Sequence, residues 1–140
     1  MTTLAWSGVT LASDRQITDN GRPIVGTKIW RIEVKGKIYL LGCCGGYGAA
    51  LKFVKHFEKN GLTKLPEISG ASILIIGEDE AWSYEDDGSL SPMNETPWAM
   101  GSGGDYALGA MKAGATAEEA VAIAIELDIN SGFGIDTVGF

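Results

Sequence analysis

The sequence is poor in the residues that most often build metal and hydrolytic sites. Histidine occurs once, at position 56, and the two cysteines, Cys43 and Cys44, are adjacent. Neighbouring cysteines rarely bridge each other because the bond strains the peptide between them, and two thiols with one imidazole fall short of a zinc site. A Ser-His-Asp triad would need His56, but no Gly-x-Ser-x-Gly motif is present. We expect no metal, no cofactor, reduced cysteines and a structural or solvent-facing His56.

Basic residues and long apolar runs are also scarce. The chain has 11 lysines and arginines against 18 aspartates and glutamates, a formal net charge of −7. Without a basic stripe, nucleic acid and anionic membranes are poor candidates for partners. No apolar run has the length that spans a bilayer, and the first residues lack the features of a signal peptide. The composition predicts a single domain over residues 1–140, located in the cytoplasm.

The pattern of apolar residues indicates an α+β fold. Most segments of residues 3–100 resemble strands, among them the buried-type run at 71–76. Residues 49–59 instead repeat apolar side chains at helical spacing. Near the end, Thr116 and Glu119 form a capping box, which predicts a helix that runs to about Leu127 before a final strand.

Thr2 is a candidate nucleophile. The initiator methionine is normally removed when the next residue is as small as threonine, which would leave Thr2 with a free α-amino group. Such an amine can act as the base for the hydroxyl of the same residue, because its ordinary pKa lies near neutrality. Many chains begin with Met-Thr, so the alternative is an ordinary strand residue.

Four further motifs have both a chemical and a structural interpretation. Asp14 ends one strand and Lys28 precedes another, so the two are either a charged pair beside a nucleophile or surface residues. Residues 42–46 run from a strand through glycines into a helix, which suits an oxyanion hole or close packing. Residues 101–104 also run from a strand through glycines into a helix, as a phosphate loop does. They lack the Lys-Ser/Thr that ends such a loop, so we reject that interpretation. Residues 128–132 follow a helix, where Asp and Gly also serve as a C-terminal cap.

In their order and spacing, these motifs resemble the proteasome β-subunit and HslV family of N-terminal-nucleophile threonine peptidases. The resemblance covers nearly the whole chain. The matching segments are Thr2-Thr3-Leu4-Ala5, Leu11-Ala12-Ser13-Asp14-Arg15, Thr27-Lys28-Ile29, Leu40-Leu41-Gly42, Gly45-Gly46, Met100 to Ala107, Ala115 to Ile123, and Asp128-Ile129-Asn130-Ser131-Gly132. The resemblance implies a four-layer α/β/β/α sandwich of two antiparallel sheets, with the nucleophile at the end of one sheet.

The resemblance also implies a catalytic set. Its members are Thr2, Asp14, Lys28, Gly45, Ser102, Asp128 and Ser131. Thr2 would be the nucleophile and its amine the general base, with Asp14 and Lys28 as the charged pair beside it. The backbone N–H of Gly45, or alternatively of Gly46, would form the oxyanion hole. The three side chains from the last third of the chain would hydrogen-bond to the amine and relay protons.

The chain is shorter than the family pattern in three places. The opening hairpin is short, only residues 62–70 stand where the family has a second helix, and the usual elements after the last strand are missing. In the family, the first two helices help to form ring contacts and the surface near the docked AAA+ unfoldase. We therefore expect a homo-oligomer, whereas these differences leave open both the double ring of the family and an AAA+ unfoldase partner. Such compaction suits a phage or minimal bacterial homologue.

Three functions are compatible with these observations. The leading hypothesis is a self-assembling cytoplasmic threonine peptidase that hydrolyses peptide or protein substrates through an acyl-enzyme intermediate. The alternative is a catalytically silent protein that builds rings, stacks or tubes, and a third possibility is an amidase for a small molecule. Ile17, Cys43 and Tyr47 are candidates for lining the specificity pocket.

Overall fold

The structure, a computed structural model, describes residues 1–140 and is built around two antiparallel sheets. The helices are α1 (Tyr47–Asn60), α2 (Gly104–Lys112) and α3 (Ala117–Leu127). The strands are β1 (Leu4–Trp6), β2 (Leu11–Asp14), β3 (Gln16–Asp19), β4 (Arg22–Val25), β5 (Ile29–Val34), β6 (Lys37–Gly45), β7 (Ala71–Ile76), β8 (Ala81–Tyr84), β9 (Leu90–Pro92), β10 (Trp98–Met100) and β11 (Ile135–Val138).

The strands form two main sheets and a separate hairpin. The first sheet has the order β10-β1-β2-β11 and the second has the order β5-β6-β7-β8-β9. Strands β3 and β4 pair only with each other, across a two-residue turn at Asn20 and Gly21 with positive φ at both positions, as a tight hairpin requires. The central position of β1 in the first sheet places the chain's N-terminus beside the ends of its neighbours.

The core consists of three apolar clusters, one between the two sheets and one on the outer face of each sheet beneath the helices. Leu4 and Trp6 of β1 pack between the sheets, whereas Ala5 faces the helices α2 and α3. The contact beneath α2 and α3 is rich in alanine, and α1 packs on the second sheet through large residues such as Phe53 and Phe57. The order of layers is therefore helix, sheet, sheet, helix, which confirms the predicted α/β/β/α sandwich.

Local signals in the sequence account for most element boundaries. The capping box forms as predicted: the Thr116 hydroxyl accepts the Glu119 N–H at 3.1 Å, and the Glu119 carboxylate accepts the Thr116 N–H at 3.1 Å. Gly61, at φ 57°, ends α1. The last strand is shorter than the predicted 132–140, because Phe133 and Gly134 both adopt positive φ and only Ile135–Val138 pairs with β2.

Three further features bear on the predictions. Residues 62–70 contain no helix and no strand, so the connection from α1 to β7 is irregular and short. No helix combines the length and apolar character needed to cross a bilayer. Both cysteines have free thiols.

Candidate active site

Four separate parts of the chain meet around Thr2. Thr2 lies two residues before the start of β1, Asp14 ends β2, Ser102 follows β10, and Lys28 lies just before β5 in the other sheet. Because β1 lies between β10 and β2, the antiparallel pairing brings the ends of all three strands to one edge. Thr2 is 3% exposed there, beneath Met1. The structure thus brings together residues that are as many as 100 positions apart in sequence.

Lys28 forms a buried charged pair that contacts the Thr2 hydroxyl. Its Nζ lies 3.0 Å from Thr2 Oγ1 and 2.9 Å from Asp14 Oδ1. It also donates to the Met1 carbonyl oxygen at 3.3 Å, and the Thr2 hydroxyl donates to the same oxygen at 2.6 Å. A positive charge at this distance stabilises negative charge that develops on the threonine oxygen.

Asp14 has its charge fully satisfied although its side chain is completely buried. Besides the Lys28 ammonium, Oδ1 accepts the Thr3 N–H at 3.0 Å. The other oxygen, Oδ2, accepts the N–H groups of Gln16 at 3.1 Å and Gly132 at 3.0 Å. A buried ion pair is tolerated only when its remaining hydrogen-bonding capacity is also used, so Asp14 holds Lys28 in one orientation toward Thr2.

On the other side of Thr2, a chain of hydrogen bonds leads from its backbone nitrogen to Asp128. The Thr2 N–H donates to Ser102 Oγ at 3.1 Å, and Ser102 donates to Asp128 Oδ2 at 2.6 Å. The Ser131 hydroxyl donates to the same oxygen at 2.8 Å, and the Asn130 N–H reaches Oδ1 at 3.1 Å. Partial burial alone would raise the pKa of Asp128, but these hydrogen bonds outweigh it and hold the pKa below its ordinary value.

The glycines at the end of β6 have different roles. Gly45 adopts φ +88°, and a Cβ there would overlap the carbonyl oxygen of Gly70, so only glycine fits this position. The Gly46 N–H donates to the Gly70 carbonyl at 2.7 Å. The alternative in which Gly46 supplies the oxyanion-hole donor is therefore wrong, because its N–H is already used. Gly45 and Thr2 line the same cavity. The assignment of the Gly45 N–H as the oxyanion-hole donor therefore stays a prediction.

The cavity beside Thr2 has a volume of about 320 Å³. Ile17, Cys43 and Tyr47, the three candidates from the sequence, line it together with Ala50. A larger cavity of about 500 Å³ lies near Trp6 but contains none of the predicted site residues. We therefore associate the smaller cavity with the site, since it is the one that reaches the candidate nucleophile.

The two cysteines near this cavity are poor nucleophiles. Burial is the main cause that raises the pKa of the Cys43 thiol well above its usual range. Burial also raises the pKa of Cys44 to about 12, against the opposing influence of the N-terminal and Lys28 charges. Because the thiolate and not the thiol is the reactive form, the Thr2 hydroxyl is the better candidate for covalent chemistry.

Two glycines of the Gly101–Gly104 segment contribute a feature that the sequence analysis missed. Gly101 has φ +93°, and a Cβ there would overlap the Thr2 carbonyl. A Cβ on Gly103 would overlap Thr3 Oγ1, and the Gly103 N–H donates to the Thr2 carbonyl at 3.2 Å. The segment therefore packs directly against the backbone of Thr2. Its density of glycine was the signal, since glycine often marks close approach of two backbones.

The four layers and the two antiparallel sheets have the arrangement of an Ntn-hydrolase-like fold. No protein-family model matches the sequence, and no curated protein sequence matches it.

Several solved structures match over almost the whole chain. HslV from Trypanosoma brucei has 20% identity over 98% of this chain and 97% of its own, with a TM-score of 0.67. BPH from Thiobacillus denitrificans, in complex with epoxomicin, has 16% identity over 99% of this chain and 97% of its own, with a TM-score of 0.72. Anbu from Pseudomonas aeruginosa, a helical assembly, has 12% identity over 100% of this chain and 81% of its own, with a TM-score of 0.75. The predicted resemblance is confirmed at the level of the fold.

Proposed function

We propose that this protein is a self-assembling threonine-type peptidase that uses Thr2 as its nucleophile after removal of Met1. The observation that carries the proposal is the Lys28 Nζ contact of 3.0 Å to Thr2 Oγ1, made by a lysine whose orientation is fixed by the buried Asp14. A buried ion pair has a desolvation cost that packing alone does not require. Lys28 contacts the hydroxyl of Thr2, the residue that would carry a free α-amino group once Met1 is removed, and this contact supports a chemical role for the pair.

The mechanism follows from the two sides of Thr2. Removal of Met1 would convert the Thr2 nitrogen from an amide into an amine that can accept the hydroxyl proton. The oxygen would then attack a substrate carbonyl, while Lys28 stabilises its developing charge and the Gly45 N–H stabilises the oxyanion. The protonated amine would give its proton to the leaving amine, which leaves an acyl ester on Thr2. Water, activated by the same amine, would hydrolyse the ester and restore the hydroxyl.

The cavity beside Thr2 would receive the side chain that precedes the cleaved bond. Its lining is largely apolar, with Ile17, Cys43 and Ala50 among its walls. Unstructured peptides are the appropriate test substrates, because they need no AAA+ unfoldase partner. The proposal includes homo-oligomeric assembly and a cytoplasmic location, where the free thiols of Cys43 and Cys44 would stay reduced.

A covalent probe tests the proposal directly. The protein is treated with a peptide epoxyketone, whose two electrophilic carbons can be attacked by the hydroxyl and the amine of one residue. Intact mass spectrometry should show the wild type without Met1 and with one adduct. The Thr2→Ala variant should lose Met1 but gain no adduct, and Thr2→Ser, which keeps both groups, should still be modified. Fluorogenic peptides should likewise be hydrolysed by the wild type and by Thr2→Ser but not by Thr2→Ala.

The opposite result would favour a different function. A wild-type chain that retains Met1, or a processed chain that neither binds the probe nor cleaves any peptide, would contradict the peptidase. The silent assembly protein would then be preferred, and the shortened segment at residues 62–70 would be consistent with it. A processed chain that gains the adduct but cleaves no peptide would direct the search toward small amides.

A further inference from the structure

Thr3 contacts both halves of the site, although it is not the candidate nucleophile. It is completely buried. Its backbone N–H donates to Asp14 Oδ1 at 3.0 Å, and its carbonyl accepts the Asp14 N–H at 3.2 Å. Its side-chain oxygen lies 2.8 Å from Ser131 Oγ, on the side of the site that leads to Asp128. Thr3 therefore links the charged pair to the hydrogen-bond chain.

The direction of the Thr3–Ser131 hydrogen bond follows from counting protons. A serine hydroxyl has a single proton to donate, and Ser131 donates its proton to Asp128 Oδ2. The Thr3 hydroxyl must therefore be the donor to Ser131. The result is an ordered chain in which Thr3 donates to Ser131 and Ser131 donates to Asp128. Such chains strengthen each of their members.

Two chains of donors meet at one carboxylate oxygen. Ser102 donates to Asp128 Oδ2 at 2.6 Å and is itself the acceptor for the Thr2 N–H. Ser131 donates to the same oxygen from the other side. The position of the carboxylate, and through it the position of Ser102, depends on both chains being intact. Loss of the Thr3 hydroxyl would leave Ser131 Oγ, buried at 5% exposure, without an incoming donor.

The surroundings reserve space for the Thr3 hydroxyl. Gly103 lies so close that a Cβ in its place would overlap Thr3 Oγ1, and Ala124 and Asp128 bound the same space. Valine at position 3 would fill the same volume without donating, and serine would donate without the methyl group. The chain thus offers a matched pair of variants that separates hydrogen bonding from packing.

We propose that Thr3 is a positioning residue, whose hydroxyl fixes Ser131 and Asp128 and thereby holds Ser102 against the Thr2 amine. The inference rests on the proposed peptidase function for its kinetic consequence. Its hydrogen-bond link exists independently of turnover and is measured separately. Thr3 itself touches no reacting atom; it acts through Ser131.

Kinetics of the two Thr3 variants test the consequence for catalysis. Thr3→Val should lower kcat about tenfold, the equivalent of one lost hydrogen bond, with KM within about twofold of the wild type. Thr3→Ser should recover most of the lost kcat. A fall in kcat that Thr3→Ser shares, or an unchanged kcat in Thr3→Val, would overturn the proposal while leaving the peptidase itself standing.

A double-mutant cycle on stability tests the link without any need for activity. The unfolding equilibrium constants of the wild type, Thr3→Val, Ser131→Ala and the double variant should be non-additive by about fivefold. Additive effects would overturn the link. If the two substitutions are coupled but the wild type forms no epoxyketone adduct, the peptidase proposal is contradicted. Thr3 is then a structural residue, and the positioning role is overturned as well.

Discussion

Asp14 and Lys28 are each held in place by the other. Both side chains are almost fully buried, and their atoms are 2.9 Å apart. Removal of one partner from such a pair leaves an uncompensated charge, which typically costs about 3–5 kcal/mol. Lys28→Met should therefore lower the free energy of unfolding by about that amount and abolish peptide hydrolysis. Urea denaturation at one fixed protein concentration measures the first effect.

The double variant Asp14→Asn with Lys28→Met serves as the control. It removes both charges, so its free energy of unfolding should recover part of the loss, while hydrolysis should remain absent. A stable Lys28→Met protein with normal turnover would show that the lysine has neither role.

Asp128 provides a prediction about pH. The hydrogen bonds from Ser102 and Ser131 outweigh burial and keep the pKa of this carboxyl below its ordinary value. Its contribution to stability is therefore complete above the pKa of the unfolded chain, near 4, and is lost as the pH falls through the lower pKa of the folded protein. Asp128→Asn should destabilise the protein at pH 7 and do so less at pH 3.

Urea denaturation of both proteins at the two pH values gives this comparison. Glu126→Gln is the matched control, because Glu126 lies near the end of α3, shortly before Asp128, where it is exposed and its side chain makes no hydrogen bond. An Asp128→Asn effect of the same size at pH 3 and pH 7 would mean that the charge of Asp128 adds nothing to stability.

At the scale of elements, the N-terminal region of α2 packs closely against the backbone that precedes β1 and contains the candidate nucleophile Thr2. Gly103 has an ordinary negative φ, so alanine there would suffer no backbone strain. Its Cβ would nevertheless collide with the Thr3 hydroxyl and approach Ala124 and Asp128. Gly103→Ala should therefore destabilise the protein by about 1–3 kcal/mol, as overpacking does, and lower turnover.

Gly109 in the same helix is the natural control. Nothing lies within 4 Å of the position that its Cβ would occupy. Gly109→Ala should stabilise the protein by about 0.5–1 kcal/mol through the better helix propensity of alanine and leave activity unchanged. Thermal unfolding together with peptide hydrolysis distinguishes the two variants. If Gly103→Ala and Gly109→Ala are equally stable, α2 must shift to accommodate the methyl group at position 103.

Elements with strong local signals were predictable, and contacts between distant elements were not. The apolar run at 71–76 and the Thr116 capping box each identify their element within a few neighbouring residues. The loss of Gly46 as an oxyanion-hole donor depends on Gly70, which lies 24 positions away and carries no motif. The Thr3 to Ser131 contact spans 128 positions. Only the packing of the two sheets reveals such pairs.

The proposed catalytic residues also could not be paired from local sequence patterns. Asp14 and Lys28 each have a plausible surface role when considered alone, and their proximity follows only from strand pairing in the folded chain. The resemblance to a known family supplied what local patterns could not, because it concerns the order of motifs over nearly the whole chain. Whether those residues turn over a substrate depends on Met1 removal, a step that neither spacing nor packing determines.

At the scale of the whole molecule, the end of α3 and the segment that follows it leave large apolar side chains in contact with solvent. Ile129 is 91% exposed, Leu127 58% and Phe133 50%. Phe133 also has a positive φ of 62°, a conformation that is uncommon for a bulky residue. Because exposed apolar surface of this kind is often used for association, we expect this segment to contact a second copy of the chain in the proposed assembly.

Ile129→Asp tests this expectation. Burial of an isoleucine side chain contributes about 1.5–3 kcal/mol, so replacing it with a charge should weaken association at least tenfold. Light scattering after size-exclusion chromatography should show a multimer for the wild type and smaller species for Ile129→Asp. Ile129→Val, which keeps an apolar side chain, should retain the multimer. Since Ile129 lies only one residue after Asp128, circular dichroism of the dissociated variant must show an intact fold. An undiminished Ile129→Asp multimer would locate the contact between copies on another face of the sandwich.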